Sequence, residues 1–251
     1  MSLTTGRGPL SARPAGRFSV PLPTPLGYVE PFQRRVRGRS GGQTVVDSER
    51  VLLVHAPGQP PTYAFPAEDV QATVASEPEP AVAGHLRVPW EAVDEWWEEE
   101  ERMLGHPRNP YHRIDCLRST RHLRVEVGDV VLVDTSDTVA LYESALAPRL
   151  YVRREQVDMG LLHPSATKTY CPYKGAASYW SAIVGDVVVE DIAWSYEDPL
   201  PESVPISGLL SFDGSRATVE HDLPAPTRVL EDLEDLEPRL DGPTCDSGGQ
   251  C

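Results

Sequence analysis

The feature that most constrains this chain is a short internal repeat. Residues 47–70 read DSERVLLVHAPGQPPTYAFPAEDV and residues 134–157 read DTSDTVALYESALAPRLYVRREQV, the same 24 positions without a gap. Identities fall at Asp47/Asp134, Pro61/Pro148, Glu68/Glu155 and Val70/Val157, and apolar residues match at Leu52/Val139, Val54/Leu141 and Phe65/Val152. Each copy follows a stretch of alternating apolar residues, 36–46 or 123–133. Alternation of period two places one set of side chains on one face of a strand, so each copy reads as strand, turn, strand, Pro-marked loop, strand. A duplicated unit at fixed spacing predicts two similar β domains in tandem.

Composition agrees with mainly β structure. Proline reaches 25 residues of 251, and an interior proline removes a helix donor and clashes with the preceding turn. The expected organisation is a disordered basic leader over 1–30, a first domain over 31–104, a connector over 105–122, a second domain over 123–223 and a disordered acidic, Gly-rich tail over 224–251. In the first domain, 89–104 is expected to form an acidic α-helix, with Pro89 at its first position, Gly105 as its stop and the acids of 91–101 as its solvated face.

Charge and cysteine usage narrow the function classes. The net charge of −15 argues against nucleic acid as a partner, because phosphate neutralisation needs a cationic surface. No apolar run approaches the ~20 residues of a membrane span, and the N-terminus lacks the apolar core of a secretory signal. The four cysteines, Cys116, Cys171, Cys245 and Cys251, form no CxxC pair. They point to free thiols in a reducing cytoplasm, with a Cys245–Cys251 disulfide as the alternative in the tail. GxGxxG, Walker A, GxSxG and HExxH are all absent, so neither a cofactor nor a metal is expected.

Chemistry concentrates in 163–174, HPSATKTYCPYK. The two lysines of the whole chain, Lys168 and Lys174, lie within seven residues there. Lysine supplies a compact ammonium that serves as an anion anchor or, when desolvated, as a base or nucleophile. Cys171 is a candidate nucleophile or a buried small hydrophobe, and His163 a candidate ligand-binding residue. A second segment, EDIAWSYED (190–198), is expected to be a strand with Glu190, Ile192, Trp194 and Tyr196 on one face. Asp191 then lies opposite and pairs with Lys174. Tyr173, Trp180, Trp194 and Tyr196 are the expected lining of a pocket for a small planar ligand.

The blocks TYCPYKG (169–175), SYWS (178–181) and EDIAWSYEDPLPES (190–203), with GHPRNPYHRIDCLRSTRH (105–122) before them, resemble the DUF427 family in its tandem, actinobacterial form. The likeness covers about residues 31–221 and is better in the second copy. It implies a mainly β fold similar to the β-tent of Mss4-like proteins. It implies no defined reaction, although members are sometimes labelled nucleotidyltransferase-like. The paired CxxC motifs that hold zinc in β-tent relatives are missing, so that site does not carry over. The first copy lacks CPYKG and reads as degenerate. Taken together, the expected function is small-molecule binding by a Lys174/Asp191/aromatic pocket, with cofactor-independent catalysis in its scope. The alternatives are a non-catalytic interaction or scaffold protein, a thiol-dependent enzyme using Cys171, and a nucleotidyltransferase-like enzyme. The last would need closely spaced carboxylates, for which only Asp129, Asp134 and Asp137 at strand ends and turns are available.

Overall fold

The computed structural model describes residues 3–16, 18 and 26–224. The chain is mainly β: antiparallel strands joined by turns and four short 3-10 helices among the described residues. The tail that holds Cys245 and Cys251 lies outside them.

The repeat extends further than its sequence signal. In the first copy, strand Tyr28–Pro31 pairs with Leu52–His55, which pairs with Thr62–Pro66. Strand Val36–Ser40 pairs with Gln43–Ser48. In the second copy, Ile114–Ser119 pairs with Thr138–Glu143, then Arg149–Tyr151, and Leu123–Val127 pairs with Val130–Thr135. Matched positions differ by 87 residues (134 − 47) throughout. The bulge between Gly38 and Arg39 recurs between Val125 and Glu126. The bridge Val46–Val70 recurs as Val133–Val157, and the 3-10 turn Ala67–Asp69 as Arg154–Gln156. Gly41 and Gly128 both take positive φ at the hairpin turn (56° and 58°), where a Cβ would be strained.

Each copy closes a core of its own. The first contains Phe32, Val36, Leu53, Phe65 and Trp96, and the second Val125, Leu132, Leu150, Val152, Ile192 and Leu210. In both, a late strand returns to close the first hairpin: Glu95–Glu98 on Val36–Ser40, and Thr218–His221 on Leu123–Val127. The copies differ before that return. Val70 and Leu86 are 16 residues apart in the first copy. The matching Val157 and Leu210 are 53 apart, and the extra chain is a set of three long strands, Leu162–Cys171, Gly175–Val184 and Val187–Tyr196.

Three expectations are corrected. Residues 89–104 form no α-helix. Trp90–Ala92 is one 3-10 turn, and Glu95–Glu98 and Glu101–Met103 make a hairpin. The acids there have high helix propensity, but tertiary context overrides it. Trp96 is buried, stacks on Phe65 at 5.8 Å and donates its indole N–H to the Trp90 carbonyl (2.8 Å). Glu98 is buried too, because the Tyr63 hydroxyl and Arg34 satisfy it. Second, the strand at Tyr28 already belongs to the first sheet, and Thr4 and Arg7 of the expected leader are tied in. Thr4 is buried; its carbonyl accepts from Gly58 N–H (2.7 Å), and Arg7 N–H donates to the Ala145 carbonyl (3.1 Å). Third, the connector is shorter than 105–122, since Ile114–Ser119 is a strand of the second copy.

Candidate functional site

The three extra strands add a second layer to the second copy. The sheet Ile114–Ser119/Thr138–Glu143/Arg149–Tyr151 buries Ala140, Leu150 and Val152 in the main core. With its other face it buries Leu141 and Tyr151 in a further cluster with Ala177, Tyr196 and Ile206. Beside this cluster opens a cleft of about 710 Å³. Glu143, Tyr151, Lys174, Tyr179, Trp194 and Tyr196 line its inner part, and Thr167, Thr169, Arg149, Asp191, Asp213 and Arg216 its rim.

The CPYKG turn places the lysine. Strands Leu162–Cys171 and Gly175–Val184 close on a three-residue turn, with Cys171 opposite Gly175. Gly175 has φ +95°, a conformation that a Cβ would strain, so the turn requires glycine. Lys174 itself accepts the Leu200 N–H at its carbonyl (3.1 Å). Its side chain turns inward, 11% exposed, and the ammonium donates to Glu143 Oε2. The other carboxylate oxygen of Glu143 receives His112 Nε2 at 3.0 Å; the Glu143 and His112 side chains are 8% and 2% exposed. The His112 ring stacks on Tyr173, centroids 3.6 Å apart. Burial works against the Glu143 charge. The His112 hydrogen bond and Lys174 outweigh it, so the carboxyl is held below the ordinary glutamate range.

The wall opposite is aromatic. Trp194 donates its indole N–H to the Tyr151 hydroxyl (3.1 Å), and Arg149 sits over the Trp194 ring at 5.3 Å. Burial raises the Tyr151 and Tyr196 phenols well above the usual tyrosine range and pushes Tyr173 up to about 12. All three phenols are neutral at physiological pH.

Of the residues singled out by sequence, Lys174, Asp191, Trp194 and Tyr196 meet at this cleft. Asp191 does so by breaking the expected alternation. It sits in a bulge with φ +50°, which turns it to the cleft that Trp194 and Tyr196 also line. It does not pair with Lys174. Its carboxylate accepts the hydroxyls of Ser165 (2.6 Å) and Thr167 (2.8 Å), which lower its pKa. Tyr173 reaches the assembly through the His112 stack and lines a different cleft. Trp180 points to the main core side, donating to Ser195 Oγ (3.2 Å) under the Arg154 guanidinium. His163 is exposed on the strand opposite Ser181, and Lys168 is exposed with its ammonium on Ser178 Oγ (2.7 Å). Cys171 is half-buried against the Tyr151–Tyr196 cluster.

Sequence reasoning missed Glu143, His112 and Tyr151. Glu143 ends the strand Thr138–Glu143, where the first copy has Ala56, and Tyr151 stands where it has Ala64. A charge or a large aromatic that breaks an otherwise matched repeat was the available signal. Two of the three carboxylates considered for metal chemistry are otherwise engaged: Asp134 with His122 and Arg124, Asp137 with Arg153. Among the described residues no group of three His, Cys, Asp or Glu side chains is arranged to hold a metal ion, and no helix is long and apolar enough to cross a membrane.

A family model described as a domain of unknown function, DUF427, matches residues 28–98 and 115–222. Its two segments begin 87 residues apart, the offset of the structural repeat. No curated protein matches the chain.

Proposed function

The chain belongs to the DUF427 family, whose description assigns no reaction, and we propose that its second copy binds a small polar molecule in the Lys174 cleft. The observation that carries this reading is the state of the lysine. An ammonium has three N–H donors, and one is spent on Glu143. The other two belong to a largely buried cation at the wall of a cleft, beside the Trp194 and Tyr151 rings. An acceptor group on a flat ligand satisfies the lysine while its body lies on the aromatic wall. Cations and carboxylates balance around the cleft, with Arg149, Lys174 and Arg216 against Glu143, Asp191 and Asp213. That favours a neutral or mixed-charge ligand carrying one carboxylate or carbonyl. Lys174 is the binding residue of this reading and Glu143 its positioning residue, held in turn by His112. Each copy, in this reading, is a domain of β-tent type, and only the second keeps the site.

Benzoate is a suitable probe. It is expected to raise the melting temperature of the full chain and to lose that effect in Lys174→Gln. An equal shift in both proteins, or none in the wild type, removes the reading.

A second reading, a non-catalytic interaction protein, draws on the tip of the hairpin formed by Gly175–Val184 and Val187–Tyr196. Ile183, Val187 and Val188 are 41%, 54% and 60% exposed there, an apolar group of the kind that marks contact surfaces. Val188→Asp then abolishes self-association or partner capture without changing benzoate binding.

A further inference from the structure

A second cleft, of about 290 Å³, lies where the two copies and their connector meet. Arg34 comes from the first copy, Arg108, Asn109 and His112 from the connector, and Tyr173 and Glu202 from the second copy. We propose that this junction cleft binds an oxyanion group of a small molecule, a phosphoryl or carboxylate group, through Arg108, Arg34 and Asn109.

The donors are there without matching acceptors. Asn109 is 2% exposed and fixed from both sides: its backbone N–H donates to the Tyr173 hydroxyl (2.8 Å), and its Oδ1 accepts Tyr111 N–H (2.9 Å). Its Nδ2 is buried and has no hydrogen-bond partner. A buried donor left unmade is costly, so such a group marks strain or a site awaiting an acceptor. Prolines on either side, Pro107 and Pro110, restrict the backbone that presents it. Arg108 is half-buried and makes no ion pair among the described residues. Arg34 shares the buried Glu98 carboxylate with Tyr63, which leaves other N–H groups of its fork unspent. The carboxylate in the wall, Glu202, already accepts the Ile114 N–H (3.2 Å). Two guanidiniums and a primary amide offer the planar, multiple donors that oxyanions require. The cleft is roomier than a bare ion needs, so the anion is one end of a larger molecule.

This inference is independent of the Lys174 cleft, although His112 stands in the junction wall and grips Glu143 on its other side. The test uses the full chain at constant ionic strength, titrated with inorganic phosphate and with acetate, with chloride as the control. Isothermal titration and 31P line broadening report binding directly and do not depend on a melting transition. At least one oxyanion is expected to bind at least tenfold more tightly than chloride, and Arg108→Gln to weaken it about tenfold. Phosphate winning over acetate identifies a phosphoryl group, and the reverse a carboxylate. Benzoate binding to the Lys174 cleft is expected to survive Arg108→Gln, so the two sites fail separately. If neither oxyanion exceeds chloride, or Arg108→Gln leaves affinity unchanged, the proposal is overturned.

Discussion

Between Tyr28 and Val70 the first copy follows the same path as the second between Asp115 and Val157, down to the bulge and the positive-φ glycine of the first hairpin. The side chains differ, and at one matched pair a small and a large residue stand where the other copy has two of middle size. Gly38 faces Trp96 across one strand pair, and the matching pair in the second copy is Val125 and Val219. A Cβ on Gly38 would press on Trp96 and Val46 at 3.3 Å, so the large residue on one strand requires the small one on the other. What separates the copies in structure is the set of three extra strands in the second. It brings Lys174, Asp191 and Trp194 to one face of their sheet, while Leu162, Ala182, Ile192 and Ala193 of the same strands complete the main core on the other. The sheet of Ile114–Ser119, Thr138–Glu143 and Arg149–Tyr151 carries Tyr151 where the first copy has Ala64, and Glu143 where it has Ala56. The added strands thus serve the core of the second copy on one side and the candidate site on the other, while the register of the shared strands is kept.

The largest effect is expected where the added layer meets the scaffold. Tyr151 is 1% exposed, and its hydroxyl accepts the Trp194 indole N–H. Tyr151→Ala restores the residue of the first copy but leaves a cavity and an unpaired donor. A loss of about 3–5 kcal/mol is expected, the range for buried aromatics cut to alanine. Denaturant unfolding checks it. A loss under about 1 kcal/mol would mean that the added layer is not packed on the sheet as described.

Next is Glu143→Gln, which keeps the shape but removes the charge between Lys174 and His112. A cost of about 2–3 kcal/mol at neutral pH is expected from weakened charge-assisted hydrogen bonds around a buried ammonium. The pH dependence carries the sign. Glu143 in the folded chain stays ionised below the ordinary value of 4.5, so the unfolded chain takes up the proton first as the solution is acidified. Its contribution is present above that value and is lost as pH falls through the folded-state pKa. The gap between wild type and variant therefore narrows below about pH 4.5. A gap that stays constant with pH would show that the carboxylate is not held charged by its neighbours.

The scaffold was legible in sequence because period-two burial and turn residues are local signals, and the repeat printed them twice. The site was legible only where its residues are rare, as with the two lysines. Lys174's true partner lies 31 residues upstream, and no local pattern links them. Asp191 was assigned to the opposite face because alternation assumes a regular strand, and the bulge that turns it leaves no sequence mark beyond an Asp that tolerates positive φ. Residues 89–104 misled through composition. Glutamates favour a helix in isolation, but the pairing with Val36–Ser40 and the Trp96 stack decide the outcome.

The matched hairpins predict equal, smaller effects. Gly41 and Gly128 share a φ near +57°, and neither has an atom within 4 Å of a built Cβ. Alanine at either position therefore carries only the backbone strain, about 1–2 kcal/mol. Equal losses in Gly41→Ala and Gly128→Ala are expected from thermal or denaturant unfolding of each. A difference greater than about 1 kcal/mol would break the equivalence of the two turns.

The smallest expected effect has the opposite sign. Ala145 has φ +66°, and the matching residue of the first copy is Gly58 at +79°. Both face the same leader segment, Gly58 through the Thr4 carbonyl and Ala145 through Arg7 N–H. Alanine at positive φ carries about 1–2 kcal/mol of strain. Glycine removes it but gains about 0.5–1 kcal/mol of unfolded-state entropy. Ala145→Gly is therefore expected to stabilise the chain by about 0.5 kcal/mol, a melting-temperature rise of one or two degrees for a chain of this size. The Arg7 contact is a backbone hydrogen bond and survives the substitution, so no compensating loss is expected there. Measured destabilisation would mean that the Ala145 methyl packs against Gly6, whose built Cβ lies 3.4 Å from it, and that the leader is held more firmly to the second copy than to the first.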